Sequence, residues 1–240
     1  MNGGFSLDRM RERKESDIPS LEKTLKLMPE RRRARHLLST PADGGIGIIA
    51  EVKKASPSRR DVRAVEPSRQ ACLYREGGAL GVSVLTDGAF FAGSWDDLEA
   101  AAAVVDAPVL CKEFVYFEEQ IDMADRLGAD LVLLIARTLS DKELRRLYRH
   151  ALDRSITPLV EVHRPAELAR ALSLDPEFLM VNMRDLGTLA LEFRTGIETL
   201  RAIPEGILKI SASGVAGRDD IVRIHDKTGA TVFLVGSALM

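Results

Sequence analysis

Short apolar runs alternate with longer polar stretches from Gly45 to the end of this 240-residue chain. The runs are rich in β-branched residues and nearly continuous, a pattern typical of parallel strands that are covered on both faces. Eight strands are predicted on this basis: IGIIAEVK, LGVSVLTD, APVLCKEF, DLVLLIA, TPLVEVH, FLMVNMRD, ILKISASG and TVFLVGS.

The polar stretches between the runs are long enough for crossover helices. Helix patterns are clearest in SWDDLEAAAAVV, FEEQIDMADRLG, SDKELRRLYRHALD and PAELARAL, which follow the second to fifth runs. Ser94 and Ser140, each followed by acidic residues, are predicted N-caps. An open flavodoxin-like sheet usually has about five or six strands, so eight repeats favour closure into a (β/α)8 TIM barrel.

We predict one barrel domain over residues 1–240, with an N-terminal helical extension over residues 1–44 and the barrel proper over residues 45–240. The extension is rich in Arg, Lys, Glu and Leu, and its helical pattern covers residues 7–40. Its apolar residues recur at spacings of three and four, as on one face of a helix. These residues are Leu21, Leu25, Leu27 and Met28.

The eighth run is followed only by residues 236–240, without a final helix pattern. A barrel that lacks its last covering helix is expected to expose apolar surface of the strand and its neighbours. We expect the N-terminal extension or a second subunit to cover that surface.

Composition narrows the classes of function. Lys and Arg number 34 against 36 Asp and Glu, so no global charge favours nucleic acid or an anionic membrane. Cys72 and Cys111 are far apart, which argues against a disulfide framework, and the four histidines lack metal-ligand spacing. No apolar run reaches the roughly 18 to 20 residues of a membrane span. We therefore expect a cytoplasmic protein that acts on a small molecule, without a metal.

Polar residues stand at the carboxyl ends of several predicted strands, where barrel enzymes carry their active sites. Taken singly, a charged residue at a strand end is usually only the solvated start of a loop. Together, carboxylates and lysines in strands of buried type carry a large desolvation cost unless they pair with each other or with a ligand. Such a mixture suits acid–base chemistry. The residues are Glu51, Lys53, Lys112, Glu161, Asn182 and Arg184.

Small residues follow the last two strands, in SASGVAG from Ser211 to Gly217 and in Gly236-Ser237. The loops after strands seven and eight frequently bind phosphate in barrels, because backbone amides there approach an anion closely. The alternative is that Gly and Ser serve only as turn residues. The position after these two strands favours a phosphate site.

Other residues near the strand ends have two interpretations each. His163 has the same parity as Glu161, so it either reaches the rim of the site or has a structural role. Phe90-Phe91 and Phe114 either stack on an aromatic ligand or pack beneath loops. Cys111 has the opposite parity to Lys112 and is expected to face the helices rather than the site.

These motifs resemble those of indole-3-glycerol phosphate synthase, the (β/α)8 lyase of tryptophan biosynthesis. The resemblance covers essentially the whole barrel and much of the N-terminal extension. It is carried by AEVKKASPS at the first strand, SVLTDGAFFAGS at the second, VLCKEF at the third, LVEVH at the fifth, NMRDL at the sixth, and SASG and VGSALM at the last two.

The resemblance implies an activity without a cofactor. The reaction closes the indole ring of 1-(2-carboxyphenylamino)-1-deoxyribulose 5-phosphate, with loss of carbon dioxide and water. Lys112 would be the general acid on the substrate carbonyl, and Glu161 the general base of the dehydration. Glu51 and Lys53 would support proton transfer, while Asn182 would orient the intermediate.

The resemblance also implies a set of substrate-binding residues. Arg184 would act with Asn182 to orient the intermediate and its carboxylate, and Phe91 and Phe114 would flank the aryl ring. The phosphate would be held by Ser56, Ser213, Gly214, Gly236 and Ser237.

The chain departs from the family pattern at several positions. Ala212 replaces the glutamate of the usual Ser-Glu-Ser-Gly after strand seven, and losing one preorganised group of this kind costs about 3 to 4 kcal/mol. Met183 replaces an asparagine, and Glu113 replaces an aspartate. Arg137 after strand four and the basic pair Arg59-Arg60 add cations, so we expect a site suited to a more anionic ligand.

Two further hypotheses follow from these departures. One is a related barrel enzyme that acts on a different aryl- or amino-sugar phosphate; the other is a catalytically silent ligand-binding paralogue. Retention of Lys53, Lys112, Glu51 and Glu161 argues against a silent protein. The missing final helix is expected to reflect either a chain that continues past Met240 or a diverged paralogue, and we expect a monomer or a homodimer.

Overall fold

A computed structural model describes residues 7–30, 36, 38–39, 41, 44–55 and 65–239. Eight parallel strands follow one another around a closed barrel, in which the first strand pairs with the eighth. The predicted TIM barrel is thus confirmed. The strands are β1 (Gly47–Val52), β2 (Gly81–Leu85), β3 (Val109–Lys112), β4 (Leu131–Ile135), β5 (Thr157–Val162), β6 (Phe178–Asn182), β7 (Leu208–Ala212) and β8 (Val232–Val235).

The helices cover the barrel from outside. Ser94 and Ser140 are N-caps as predicted: the Ser94 hydroxyl accepts from the backbone N–H of Asp97, and Ser140 forms a capping box with Glu143. The described helices are α1 (Leu7–Leu25), α2 (Pro67–Glu76), α3 (Gly88–Phe91), α4 (Trp95–Ala102), α5 (Glu118–Arg126), α6 (Asp141–Asp153), α7 (Pro165–Leu172), α8 (Phe193–Ala202) and α9 (Arg218–Thr228), with a 3₁₀ turn at Ala136–Thr138.

Register places the predicted polar residues inside the barrel. Laterally paired residues of parallel strands point to the same side of a sheet, and alternate residues along one strand do so as well. Glu161 pairs with Met180, and Met180 pairs with Ile210. Met180 and Ile210 are fully buried and fill the interior below the carboxyl ends of the strands. An acidic side chain therefore stands above an apolar barrel core.

The N-terminal helix is shorter than predicted. Helix α1 ends at Leu25, and His36 lies outside any helix, half-buried, with its backbone N–H donating to Asp130. Leu21 is buried as the helical pattern predicted, whereas Leu27 is 81% exposed because it lies beyond the helix end. The apolar spacing indicated the helix correctly but not its end.

Helix α1 packs chiefly against α5, which follows β3. Helix α1 therefore covers that part of the barrel. Phe233, which faces outward from β8, is nevertheless fully buried, so the predicted exposure of this strand is not seen. None of the described helices is long and apolar enough to span a membrane.

Candidate active site

A cavity of about 320 Å³ opens at the carboxyl ends of the strands. The described site residues predicted from the sequence all line it, whereas Ser56 lies outside the described residues. Residues from seven strands or the loops that follow them thus meet at one place, as the closed barrel requires. The predicted residues in the cavity wall are Glu51, Lys53, Phe91, Lys112, Phe114, Glu161, Asn182, Arg184, Ser213, Gly214, Gly236 and Ser237.

Glu51 is bridged by two ammonium groups. Lys53 Nζ lies 2.8 Å from Glu51 Oε1, and Lys112 Nζ lies 2.7 Å from Glu51 Oε2. Burial by itself would raise the pKa of Glu51, but Lys112 and Lys53 outweigh that effect and lower the pKa to about 2. Glu51 is therefore a carboxylate throughout the physiological range, and it can hold the two lysines in place.

Lys112 is held in its charged form. Burial would lower the pKa of this lysine, but the nearby carboxylates Glu51 and Glu161 raise it above its ordinary value of 10.5. An ammonium group that lines the cavity is chemically able to donate a proton to a ligand there.

Glu161, on β5, is linked to the neighbouring strand ends by hydrogen bonds. The Asn182 side-chain amide donates to Glu161 Oε1 at 3.2 Å, and its oxygen accepts from the Ser213 hydroxyl at 2.9 Å and the Arg184 backbone N–H at 3.0 Å. Within the part of the chain that the structure describes, Glu161 Oε2 has no hydrogen-bond partner. A buried carboxylate oxygen beside the cavity is thus free to accept a proton from a ligand.

The loops after β7 and β8 bring small residues to the cavity. Ser213 and Gly214 are both in the left-handed region, with φ of 66° and 76°, a conformation that costs glycine little but is unusual for serine. Successive backbone amides in a turn can form a concave site for an anion. Lys53 Nζ also donates to the Ser237 hydroxyl at 3.2 Å, so a cation reaches the second loop.

An apolar wall completes the cavity. The rings of Phe91 and Phe114 stack on each other with centroids 6.5 Å apart, while Phe90 lies beneath Arg13. Sequence reasoning missed the apolar residues of the loop after β6, since their side chains reach the cavity only through the loop conformation. Those residues are Leu186, Leu189 and Leu191.

A family model for indole-3-glycerol phosphate synthase matches residues 6–240 of the chain. The chain belongs to the indole-3-glycerol phosphate synthase family. The indole-3-glycerol phosphate synthase of Bacillus mycoides (strain KBAB4) is 40% identical to this chain over 99% of its length and 93% of the relative's. That of Bacillus thuringiensis subsp. konkukian (strain 97-27) is 38% identical over the same shares. The resemblance inferred from the motifs is thus confirmed.

A more distant likeness supports the fold alone. The N-acetylmannosamine-6-phosphate 2-epimerase of Clostridium perfringens aligns with a TM-score of 0.65 at 12% sequence identity, covering 87% of this chain and 94% of that one. This similarity supports the barrel fold alone, because one fold serves proteins of different chemistry.

The departures from the family pattern occupy different places in the structure. Ala212 ends β7 in register with Asn182 and is 1% exposed, so its methyl group stands where an inward-facing carboxylate would reach the site. Met183 points away from the cavity and packs against Gly196, where an added Cβ would overlap with its side chain. Only the first of these two changes alters the chemistry of the site.

Two of the remaining departures, Arg137 and Glu113, form ion pairs. Arg137 pairs with Asp185, which Arg164 also contacts, and it does not line the cavity, so our expectation that it adds positive charge to the site is wrong. Glu113 Oε1 lies 2.8 Å from Lys14 Nζ on α1. Arg59-Arg60 lie outside the described residues. Cys111 is fully buried, as its parity predicted, and burial raises the pKa of its thiol.

Gly236→Ala tests the geometry of the charged cluster. A Cβ at this position would overlap with Glu51 Oε1 and lie 2.9 Å from Lys53 Nζ, so the side chains must move. We expect kcat/KM to fall by about 10²-fold, the usual effect of a shift of about 1 Å in a catalytic group. Gly217→Ala, where no atom lies within 4 Å of the added Cβ, is the matched control. Equal activity of the two variants would contradict the assignment of Glu51 and Lys53 to the catalytic cluster.

Proposed function

We propose that the protein is an active indole-3-glycerol phosphate synthase, which converts 1-(2-carboxyphenylamino)-1-deoxyribulose 5-phosphate to indole-3-glycerol phosphate. Family membership implies a lyase of tryptophan biosynthesis. The observation that carries the proposal is the joint presence of a charged Lys112 and a partly unpaired Glu161 in one cavity.

Lys112 is proposed as the general acid. When an aryl carbon attacks the substrate carbonyl, negative charge develops on the carbonyl oxygen and must be protonated. The raised pKa of Lys112 keeps a proton available, and Glu51 fixes the ammonium group at 2.7 Å. Loss of carbon dioxide from the ring carbon then restores aromaticity, which needs no further group from the protein.

Glu161 is proposed as the general base of the dehydration. The new hydroxyl leaves as water after it takes a proton from the Lys53 ammonium group, and Glu161 Oε2 accepts the proton released from carbon as the double bond of the indole forms. Asn182 holds the other oxygen, Oε1, so the carboxylate cannot rotate freely. Arg184 and Asn182 are proposed to orient the intermediate and its carboxylate from the end of β6.

The substrate's two ends match the two sides of the cavity. The turns at Ser213-Gly214 and Gly236-Ser237, with Lys53 beside them, suit the phosphate. Phe91 and Phe114, with the leucines of the loop after β6, suit the aryl ring. We propose a phosphorylated small-molecule substrate on this basis, and cytoplasmic action as a monomer or homodimer.

An activity assay with Ala212→Glu tests the proposal. We expect the wild-type protein to produce indole fluorescence from the carboxyphenylamino-deoxyribulose phosphate, and Ala212→Glu to raise kcat, because a carboxylate returns to a site that otherwise fits this substrate. Ala212→Gln is the control of similar size without charge. No product at high enzyme concentration, with no gain in Ala212→Glu, would support the alternatives of a different sugar phosphate or a silent paralogue.

A further inference from the structure

A buried histidine lies between two carboxylates at the end of β5. His163 Nε2 is 3.3 Å from Glu161 Oε1, and His163 Nδ1 is 3.6 Å from Glu167 Oε2. The histidine side chain is only 3% exposed. Its ring therefore connects the cavity-lining Glu161 to Glu167 in the first turn of α7.

A neutral imidazole does not satisfy this environment. It carries one N–H and one lone pair, so one of the two carboxylates would face a lone pair. Neither ring nitrogen has a partner of good hydrogen-bond geometry among the described residues, although both stand at ion-pair distance from an acid. An imidazolium, with two N–H groups, matches both carboxylates at once.

The surrounding charges favour the imidazolium. Burial lowers the pKa of His163, but Glu167 and Glu161 outweigh burial and raise the pKa above its ordinary value of 6.5. Arg137, beyond β4, acts in the opposite direction, but it is paired with Asp185. The backbone N–H of His163 also donates to Glu167 at 2.7 Å, which fixes the acid of α7 relative to the strand end.

The contact controls which oxygen of Glu161 is available. Oε1 accepts from Asn182 and faces His163, whereas Oε2 has no hydrogen-bond partner in the described part of the chain. The hydrogen bond from Asn182 and the adjacent His163 ring, both at one oxygen, hold the carboxylate in a single rotamer and leave the other oxygen for the ligand.

We propose that His163 is a positioning residue for Glu161, and that its protonated ring bridges Glu161 and Glu167 so that Glu161 Oε2 is presented to the substrate. This inference rests on the proposed function, in which Glu161 is the base. Because the bridge needs both N–H groups, it is present below the pKa of the ring and is lost as pH rises through that value.

Kinetics of two variants test the bridge. Glutamine places an amide N–H near the position of Nε2 at every pH, so His163→Gln should stay active and lose the alkaline fall in kcat that the ring produces. His163→Leu has no donor, so we expect kcat to fall about tenfold or more. A positioned base contributes about 10²- to 10⁴-fold to the rate in total. Lys112 does not produce this fall, since its pKa is raised above 10.5.

A merely structural role gives a different result. In that case both variants would keep the shape of the wild-type pH profile, and the proposal would be overturned. His150→Gln, on the outer helix α6 where the histidine pairs with Asp122, is the matched control and should leave the profile unchanged.

Proton NMR of the four imidazoles tests the contact without turnover. The His163 signal, assigned from its absence in His163→Gln, should titrate above 6.5, and Glu161→Gln should lower that midpoint. An ordinary midpoint, or no response to Glu161→Gln, would overturn the inference. Coupled titration in a protein without synthase activity would instead overturn the proposed function alone.

Discussion

Lys112→Met is expected to reduce kcat for indole-3-glycerol phosphate formation by about 10²- to 10⁴-fold, the contribution of a positioned general acid. Methionine has similar length and no proton to donate. In this variant Glu51 keeps only one of its two lysine partners, Lys53. The measurement is the initial rate of indole fluorescence at saturating substrate.

Two controls show whether Lys112→Met loses the catalytic step itself or loses substrate binding or folding. Lys209, also a lysine on a barrel strand, donates from Nζ to the Thr228 carbonyl at 3.2 Å and lies outside the cavity wall. Lys209→Met should keep turnover near that of the wild type. Inorganic phosphate should still bind to Lys112→Met, because the turns after β7 and β8 are unchanged. A Lys112→Met protein with wild-type kcat would refute the assignment of the general acid.

Lys14→Met is expected to lower the free energy of unfolding by about 3 to 5 kcal/mol, the usual cost of removing one partner from a buried ion pair. Lys14 Nζ lies 3.0 Å from Asp87 Oδ2 and 2.8 Å from Glu113 Oε1, and all three side chains are at most 8% exposed. Asp87 caps α3, which carries Phe91, and Glu113 follows Lys112. The lysine thus ties the N-terminal helix to two loops of the site.

Denaturant unfolding measures the loss, with Lys23→Met as the control because Lys23 is exposed on the same helix. Adding Glu113→Gln to Lys14→Met should recover part of the stability by removing the uncompensated charge. Burial raises the pKa of Glu113, and Lys14 opposes this effect. Without Lys14, we expect the penalty to grow as pH rises from about 4.5, where the unfolded chain begins to release this proton. Equal stability of Lys14→Met and Lys23→Met would contradict the buried bridge.

The parts of the site that the sequence predicted share one property. Glu51, Lys112, Glu161 and Asn182 are polar residues inside strands whose other positions are apolar, and parity along a strand is readable without coordinates. Barrel closure then brings the strand ends together whatever the loops do. This is why the candidate acid, base and amide were found at one cavity.

The parts that the sequence did not predict depend on contacts between distant segments. The role of Lys14 arises because α1 packs against α5 and places Lys14 beside Glu113, about a hundred residues further along the chain. The ion pair of Arg137 arises because the loop after β6 places Asp185 against it. Composition and spacing carry no information on either approach.

The sequence by itself determined the eight βα repeats, the closed barrel, the inward parity of the acid–base residues and the family. Only the tertiary structure decided that Glu51 bridges two lysines, that His163 lies between two carboxylates and that α1 anchors two loops of the site. The reason is physical: periodicity of 2 or 3.6 residues is a local property of the chain, whereas the ionisation of a buried group depends on charges brought close by folding.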